Sequence, residues 1–367
     1  MPCSNSYRLL LTALYSAFVF SSAIAAPPSP PTPPDRPARN PRYELIDVGS
    51  LGGLVTTAQH VNDFGEVIGT ANTTDNDSAH AYLWSKGQME DLGALGGNSS
   101  QGIKVNNRRQ AVGNIFSNGF PGESAFLYSN GQAQTLPFDI AYAANLRNQV
   151  VGQLTLQSSD PRANQDGWVA VLYQNETLTQ LGMFPGGSYS SAHDINDRGE
   201  IVGGSATDGF NGEHAYVYRD GKMIDLGTLG GPTSSANAIN ARGHITGGSE
   251  VSNVAGVSIG HAFLYRDGHM LDLGTVGTDS QNSGEGINND DVVVGVSNTY
   301  PLTHATIYIN GKMHYLDEFI DPRDPLAPYV TLIEGTSINN LGWITADGYN
   351  SATGLYGGYL LRPVRRR

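Results

Sequence analysis

The sequence predicts an all-β protein: a seven-bladed β-propeller of four-stranded antiparallel blades, its ring closed by an N-terminal strand that completes the last blade. Three observations carry this. A unit of roughly 45 residues recurs along the chain, a period typical of propeller blades. Each unit holds four short apolar runs separated by turn signals. The last unit lacks its fourth run, and an unassigned run of that kind stands near the start of the chain.

The clearest copy is Ser191–Gly231. Strand A is expected at Ser191–Ile195, B at Glu200–Gly203, C at His214–Tyr218 and D at Met223–Leu226. Asn196-Asp197-Arg198-Gly199 forms the A–B turn. An asparagine side chain can bond the backbone two residues on, and Gly199 supplies a positive φ. Asp220-Gly221 marks the C–D hairpin, echoed by Asp267-Gly268, Asn310-Gly311 and Asn130-Gly131. The turn asparagine recurs at 62, 106, 145, 196, 240, 288 and 339. Strand C opens at His80, Ser124, Val169, His214, His261, His304 and, in degenerate form, Gly357, with spacings of 44, 45, 45, 47, 43 and 53. Gly65, Asn148, Gly199, Gly243, Asp291 and Gly342 suit a left-handed turn position; Arg109 departs from that rule.

Six complete units begin near residues 57, 101, 140, 190, 234 and 283. The seventh offers A (Val330–Ile338), B (Trp343–Asp347) and C (Gly358–Leu361), but no D. The spare D-like run is Tyr43–Gly49. Placed in the last blade, it closes the ring and removes open strand edges that invite aggregation. The propeller therefore spans 43–363, with a basic tail at 364–367.

Composition agrees. The chain has 46 glycines and only 15% charged residues, which disfavours helix interiors and fits a turn-rich β fold. Residues 1–25 read as an export signal: Arg8, then the apolar run Leu9–Phe20, then Ala23-Ile-Ala25 as a cleavage pattern. Residues 26–42 form a proline-rich linker of polyproline type. The expected location is secreted or periplasmic, with no transmembrane segment in the mature chain. Cys3 is the sole cysteine and lies in the signal, so the mature protein is expected to lack disulfides and thiolate chemistry. Without Arg8 the net charge is 20 − 34 = −14, which argues against nucleic acid as a partner. A monomer is expected.

The run H-A-F-L-Y-R-D-G-x-M-x-D-L-G-T-L-G-G-x-x-S-x-A-x-x-I-N-x-x-G, carried most clearly by His261–Gly274 and His214–Gly243, resembles the HAF family of probable extracellular repeat proteins. The resemblance spans most of 43–361. It implies a secreted bacterial protein with a propeller-like fold and transfers no catalytic residues. Thr135-Leu136-Pro137-Phe138, Val169 and the insertion Asp317–Pro328 depart from the motif.

No catalytic, metal or cofactor set is expected. His80, His214, His261 and His304 occupy one equivalent position in separate blades, so they cannot converge as zinc ligands must. They are read as structural, bridging strand or loop. Gly256-Val257-Ser258-Ile259-Gly260 matches G-x-S-x-G but lacks the strand–turn–helix setting of a nucleophile elbow. Asp75-Asn76-Asp77 clusters oxygen ligands without completing a calcium loop. The expected ligand face is instead the B–C and D–A side, where loops vary most. Its candidate binding residues are Phe120, Asp160, Asp166, Tyr189, Asp208, Phe210, Glu213, Tyr300 and Tyr349. Aromatics beside carboxylates suit a glycan or a protein or peptide partner, which makes a binding module the favoured function. The alternatives are a polysaccharide hydrolase or lyase, pairing Asp160/Asp166 with Asp208/Glu213, and a structural cell-surface protein.

Overall fold

The computed structural model describes residues 40–117, 123–156, 167–209, 212–254, 257–277, 281–299 and 302–364. The expected signal, most of the linker and the arginine tail lie outside these residues. β1 is Tyr43–Asp47. Blade I is β2–β5 (Gly52–Val61, Val67–Thr73, Ala79–Ser85, Gln88–Asp91), and blade II is β6–β9 (Ser99–Val105, Ala111–Phe116, Glu123–Ser129, Gln132–Thr135). Blade III is β10–β13 (Ile140–Ala144, Val150–Thr155, Trp168–Gln174, Thr177–Gly182), and blade IV is β14–β17 (Ser190–Ile195, Ile201–Ala206, Glu213–Arg219, Lys222–Asp225). Blade V is β18–β21 (Ser234–Ile239, Ile245–Val254, Val257–Arg266, His269–Asp272), and blade VI is β22–β25 (Asn282–Ile287, Val293–Thr299, Leu302–Ile309, Lys312–Tyr315). Blade VII is β26–β28 (Val330–Ile338, Ile344–Asn350, Leu355–Pro363), joined by β1.

Each blade is an antiparallel meander, A to D from the axis outward. β1 pairs with β28 from Tyr43↔Pro363 to Asp47↔Tyr359 and supplies the fourth strand of blade VII. The seven A strands touch one another in a circle, β26 meeting β2. Blades I and VII also share a single parallel bridge, Val55↔Tyr356. The core lies between blades: strand C aromatics such as Tyr82, Phe126, Tyr216 and Phe263 are fully buried.

The insertion after β25 covers the outer edge of β1. Asp321 N–H donates to the Tyr43 carbonyl at 2.7 Å, and Leu45 N–H donates to Asp324 Oδ2 at 2.8 Å. Departure from the motif is thus used to protect the one edge that another part of the chain must fill.

The repeated motif residues bond in a repeated way. At all seven turn asparagines, Oδ1 accepts the N–H groups two and four residues on, as at Asn196 from Arg198 and Glu200. The amide then donates to the next blade. Asn62 reaches the Asn106 carbonyl, Asn106 reaches Asn145, and so on through 196, 240, 288 and 339 back to Asn62. One residue serves as turn former and inter-blade clasp, and the clasps form a closed circle. The position after each asparagine makes a second circle, in which its N–H donates to the side chain of its counterpart in the next blade. That circle breaks where the acceptor would be Leu146 or Ala241, which have no side-chain oxygen.

All seven left-handed turn positions have φ between 57° and 88°, Arg109 included. Arg109 tolerates φ 57° while its guanidinium pairs with Glu66 at 3.1 Å and Glu90 at 2.7 Å.

Candidate functional site

Every A strand slips register at the same place, three residues before its asparagine. The shifts fall between Ala58/His60, Gly102/Lys104, Ala141/Ala143, Ala192/Asp194, Ala236/Ala238, Gly284/Gly286 and Gly335/Ser337. The skipped residue is a β-bulge, an extra residue that the partner strand does not match. In blades I to VI the partner strand answers with glycine. A Cβ on Gly203 would lie 1.9 Å from the Ser191 carbonyl, and Gly69, Gly113, Gly152, Gly247 and Gly295 are crowded alike. Blade VII has Ala346 there, and its A strand slips a second time between Leu332 and Glu334.

The seven bulged residues are Gln59, Ile103, Tyr142, His193, Asn237, Glu285 and Thr336, all partly exposed on the inner strands. They line the axis, and five of them make contacts that cross to a neighbouring blade. Tyr142 and His193 meet edge to face at 5.3 Å. His193 Nδ1 lies 2.9 Å from the Ala236 carbonyl, and Asn237 donates to Glu285 Oε2 at 3.1 Å. Thr336 donates to the Ala58 carbonyl at 2.6 Å. Lys104 of blade II reaches Asp194 of blade IV at 2.6 Å, spanning a blade whose equivalent residue is only Ala143. Asp194 also accepts Ile195 N–H and, from blade V, Ile239 N–H.

Blades III and IV place an aromatic and polar cluster beside this axis, on the B–C/D–A side. Trp168 Nε1 donates to Ser191 Oγ, which donates to Gln153 Oε1, each at 2.9 Å. Tyr142 OH approaches the same Gln153 oxygen at 3.4 Å. The Trp168 and Tyr189 rings lie 4.7 Å apart at 30°. Burial, then the charge and hydrogen bond of Glu213, push the Tyr189 phenol well above its ordinary range. Burial, then Glu123 and Glu213, push Tyr142 up to about 12. Both carboxylates thus act on Tyr142, and burial, then Asp139, raises that of Glu123.

Of the nine residues expected from sequence, Tyr189 and Glu213 come together here. Tyr189 is 8% exposed, so it props the cluster rather than offering a free face. Asp208 is exposed on the B–C loop outside the cluster. Tyr349 lies on blade VII, 5.3 Å from the exposed Tyr356 and next to a cavity of about 150 Å³ lined by Leu54, Leu355 and Tyr356. Phe120, Asp160, Asp166, Phe210 and Tyr300 lie outside the described residues. Trp168, Gln153 and the bulge circle were missed. Their signal was a position that changes in every copy while its neighbours repeat.

Other expectations resolve into structure. His80, His214 and His261 pair with Asp91, Asp225 and Asp272 of the adjacent D strand at 2.9–3.0 Å. Those aspartates also accept the N–H of Gly93, Gly227 and Gly274, so the H-A-F and D-L-G runs are two sides of one link. Burial would raise Asp272, but His261 and Gly274 N–H hold it below the usual range. His304 instead packs on Tyr315 at 4.9 Å. Asp75 accepts Thr73 Oγ1 and Asp77 N–H, closing its own turn. Ser258 sits on β20, a strand, and no elbow forms. Among the described residues, no three His, Cys, Asp or Glu side chains converge as metal ligands. No described helix is long and apolar enough to cross a membrane.

No protein-family model and no curated protein matches the chain. Solved structures do. The β-propeller domain of the trilobed protease from Pyrococcus furiosus, reported with an open velcro topology, aligns over 74% of this chain and 85% of its own at TM-score 0.53 and 11% identity. A gluconolactonase from Xanthomonas campestris aligns over 93% and 99%, at TM-score 0.38 and 10% identity. A Dyadobacter fermentans protein of unknown function aligns over 88% and 99%, at TM-score 0.41 and 9% identity. At 11% identity the first of these speaks to fold alone, and it agrees with the sheets: the chain is an all-β propeller.

Proposed function

We propose that this protein is an exported binding module whose ligand enters the axial mouth on the B–C/D–A side, between blades III and IV. The observation that carries the reading is the chain Trp168–Ser191–Gln153–Tyr142, packed against Tyr189 and Glu213. The indole is partly exposed and apolar, and the carboxamide and carboxylate beside it carry hydrogen-bonding groups. Such a pairing of apolar face and fixed polar groups suits a sugar ring, which has one apolar face and a polar rim. The export signal at 1–25 puts the module where extracellular glycans are found. Glycan arrays probed with the mature chain test this, with Trp168→Ala as the control variant. Binding that Trp168→Ala removes without lowering the melting temperature supports the reading. Silent arrays, or binding indifferent to Trp168, overturn it.

A further inference from the structure

The opposite half of the axis is chemically different. Glu334 of blade VII lies within the electrostatic reach of Glu285 of blade VI and Asp347 of its own blade; burial, then these two charges, raise its carboxyl. Glu334 and Asp347 are cross-strand partners on β26 and β27. Asp347 accepts Ala58 N–H at 2.8 Å, and Glu285 accepts Asn237. Among the described residues the mostly enclosed Glu334 carboxyl has no hydrogen-bond or ion-pair partner. Lys104, on an inner strand, is committed to Asp194.

Blade II shows what structure alone requires. Asn114 occupies the position of Asp347 and accepts Ala141 N–H at 2.9 Å, the same inter-blade bond. An amide is enough for that task and carries no charge to desolvate. Blade VII uses a carboxylate there and sets a second carboxylate directly across from it. Buried like charges destabilise unless a cation joins them. All three side chains keep some surface toward the axis.

We propose that Glu285, Glu334 and Asp347 form a subsite for an alkylammonium group, from a lysine side chain or a polyamine, entering from the B–C/D–A face. The carboxylates do not converge tightly enough to ligate a bare metal ion. An ammonium on a flexible stem has three rotatable donors and can bridge separated acceptors. A guanidinium prefers two oxygens of one carboxylate. Charge favours that entrance. Among the described residues, every lysine and arginine except Lys104 and Arg323 lies at the A–B/C–D end of the ring, while the other end exposes Asp47, Asp75 and Asp208. Arg323 is paired with Asp321.

The proposal shares only the entrance with the proposed glycan site, and the test separates the two. Cadaverine and N-acetyl-lysine methylamide are titrated calorimetrically into the mature protein, with 1-pentanol as the uncharged control. We expect at least one amine to bind, the tighter one naming the source, and pentanol not to. Glu334→Gln and Asp347→Asn should each weaken amine binding by about tenfold or more, while Trp168→Ala leaves it unchanged. Asp347→Asn copies the natural Asn114, so it should fold. No amine binding, equal binding of pentanol, or affinities unmoved in both variants overturns the proposal. Amine binding beside silent glycan arrays would overturn only the glycan reading.

Discussion

The asparagine circle and the bulge circle lie three residues apart on the same seven strands, yet they follow opposite rules. The first has one residue type in every blade and one bonding pattern throughout. The second has seven residue types in seven blades: Gln59, Ile103, Tyr142, His193, Asn237, Glu285 and Thr336. A repeat protein must reuse whatever holds its blades together, because each blade leans on its neighbours. It is free to vary what faces the axis. The asparagines are therefore scaffold, and the bulged residues set the chemistry of the mouth.

Mutations can break that contrast at several strengths. The largest loss should come from the scaffold of the bulge itself. Gly203→Ala forces a methyl against the Ser191 carbonyl and should cost about 3 kcal/mol or more in urea unfolding. Asn240→Ala removes two accepted and two donated bonds and should cost about 2 kcal/mol; a loss under a few tenths would mean the circle is decorative.

Next comes a pH effect. Burial raises Asp347 from its ordinary 3.8 to about 7, against the pull of Ala58 N–H. Folding then takes up a proton between these values. The stabilising contribution is complete below about pH 4 and is lost as pH rises toward 7. Glu285 and Glu334 shift in the same direction, while the buried His60 works in the opposite sense. A difference between variants isolates the carboxyl. Asp347→Asn should match wild type near pH 4 and be more stable by up to about 4 kcal/mol near pH 8. Equal differences at both pH values would contradict it. The smallest effects should come from His214→Gln, within about 0.5 kcal/mol because its link to Asp225 is partly exposed, and from Gln59→Ala, smaller still by thermal melt.

Much of the architecture was legible because it repeats. Asparagine, the Asp-Gly hairpins and the H-A-F and D-L-G runs recur by position, so each marked its own turn or strand, and Tyr43–Gly49 stood out as a strand without a unit. The bulge was not legible. A strand read with period two hides an extra residue, and a motif averaged over copies writes the variable position as x. The Lys104–Asp194 pair was invisible for another reason: it joins units that are not neighbours in sequence or in the ring. Of the loop aromatics expected as ligand groups, Tyr189 packs on Trp168 and bonds Glu213. Asp321 and Asp324, within the insertion that departs from the motif, hold β1 in place.

That clasp has a mechanical consequence. β1 and β28 run antiparallel, and Val364 N–H bonds the Arg42 carbonyl at 2.7 Å, so both chain ends leave the ring at one point. Force applied across the two ends would peel their ladder open one pair at a time, beginning at Tyr43 and Pro363, instead of shearing it as a block. A ring tethered by both ends would be built to open under load, whereas one tethered by its proline-rich end alone would carry no strain across the seam.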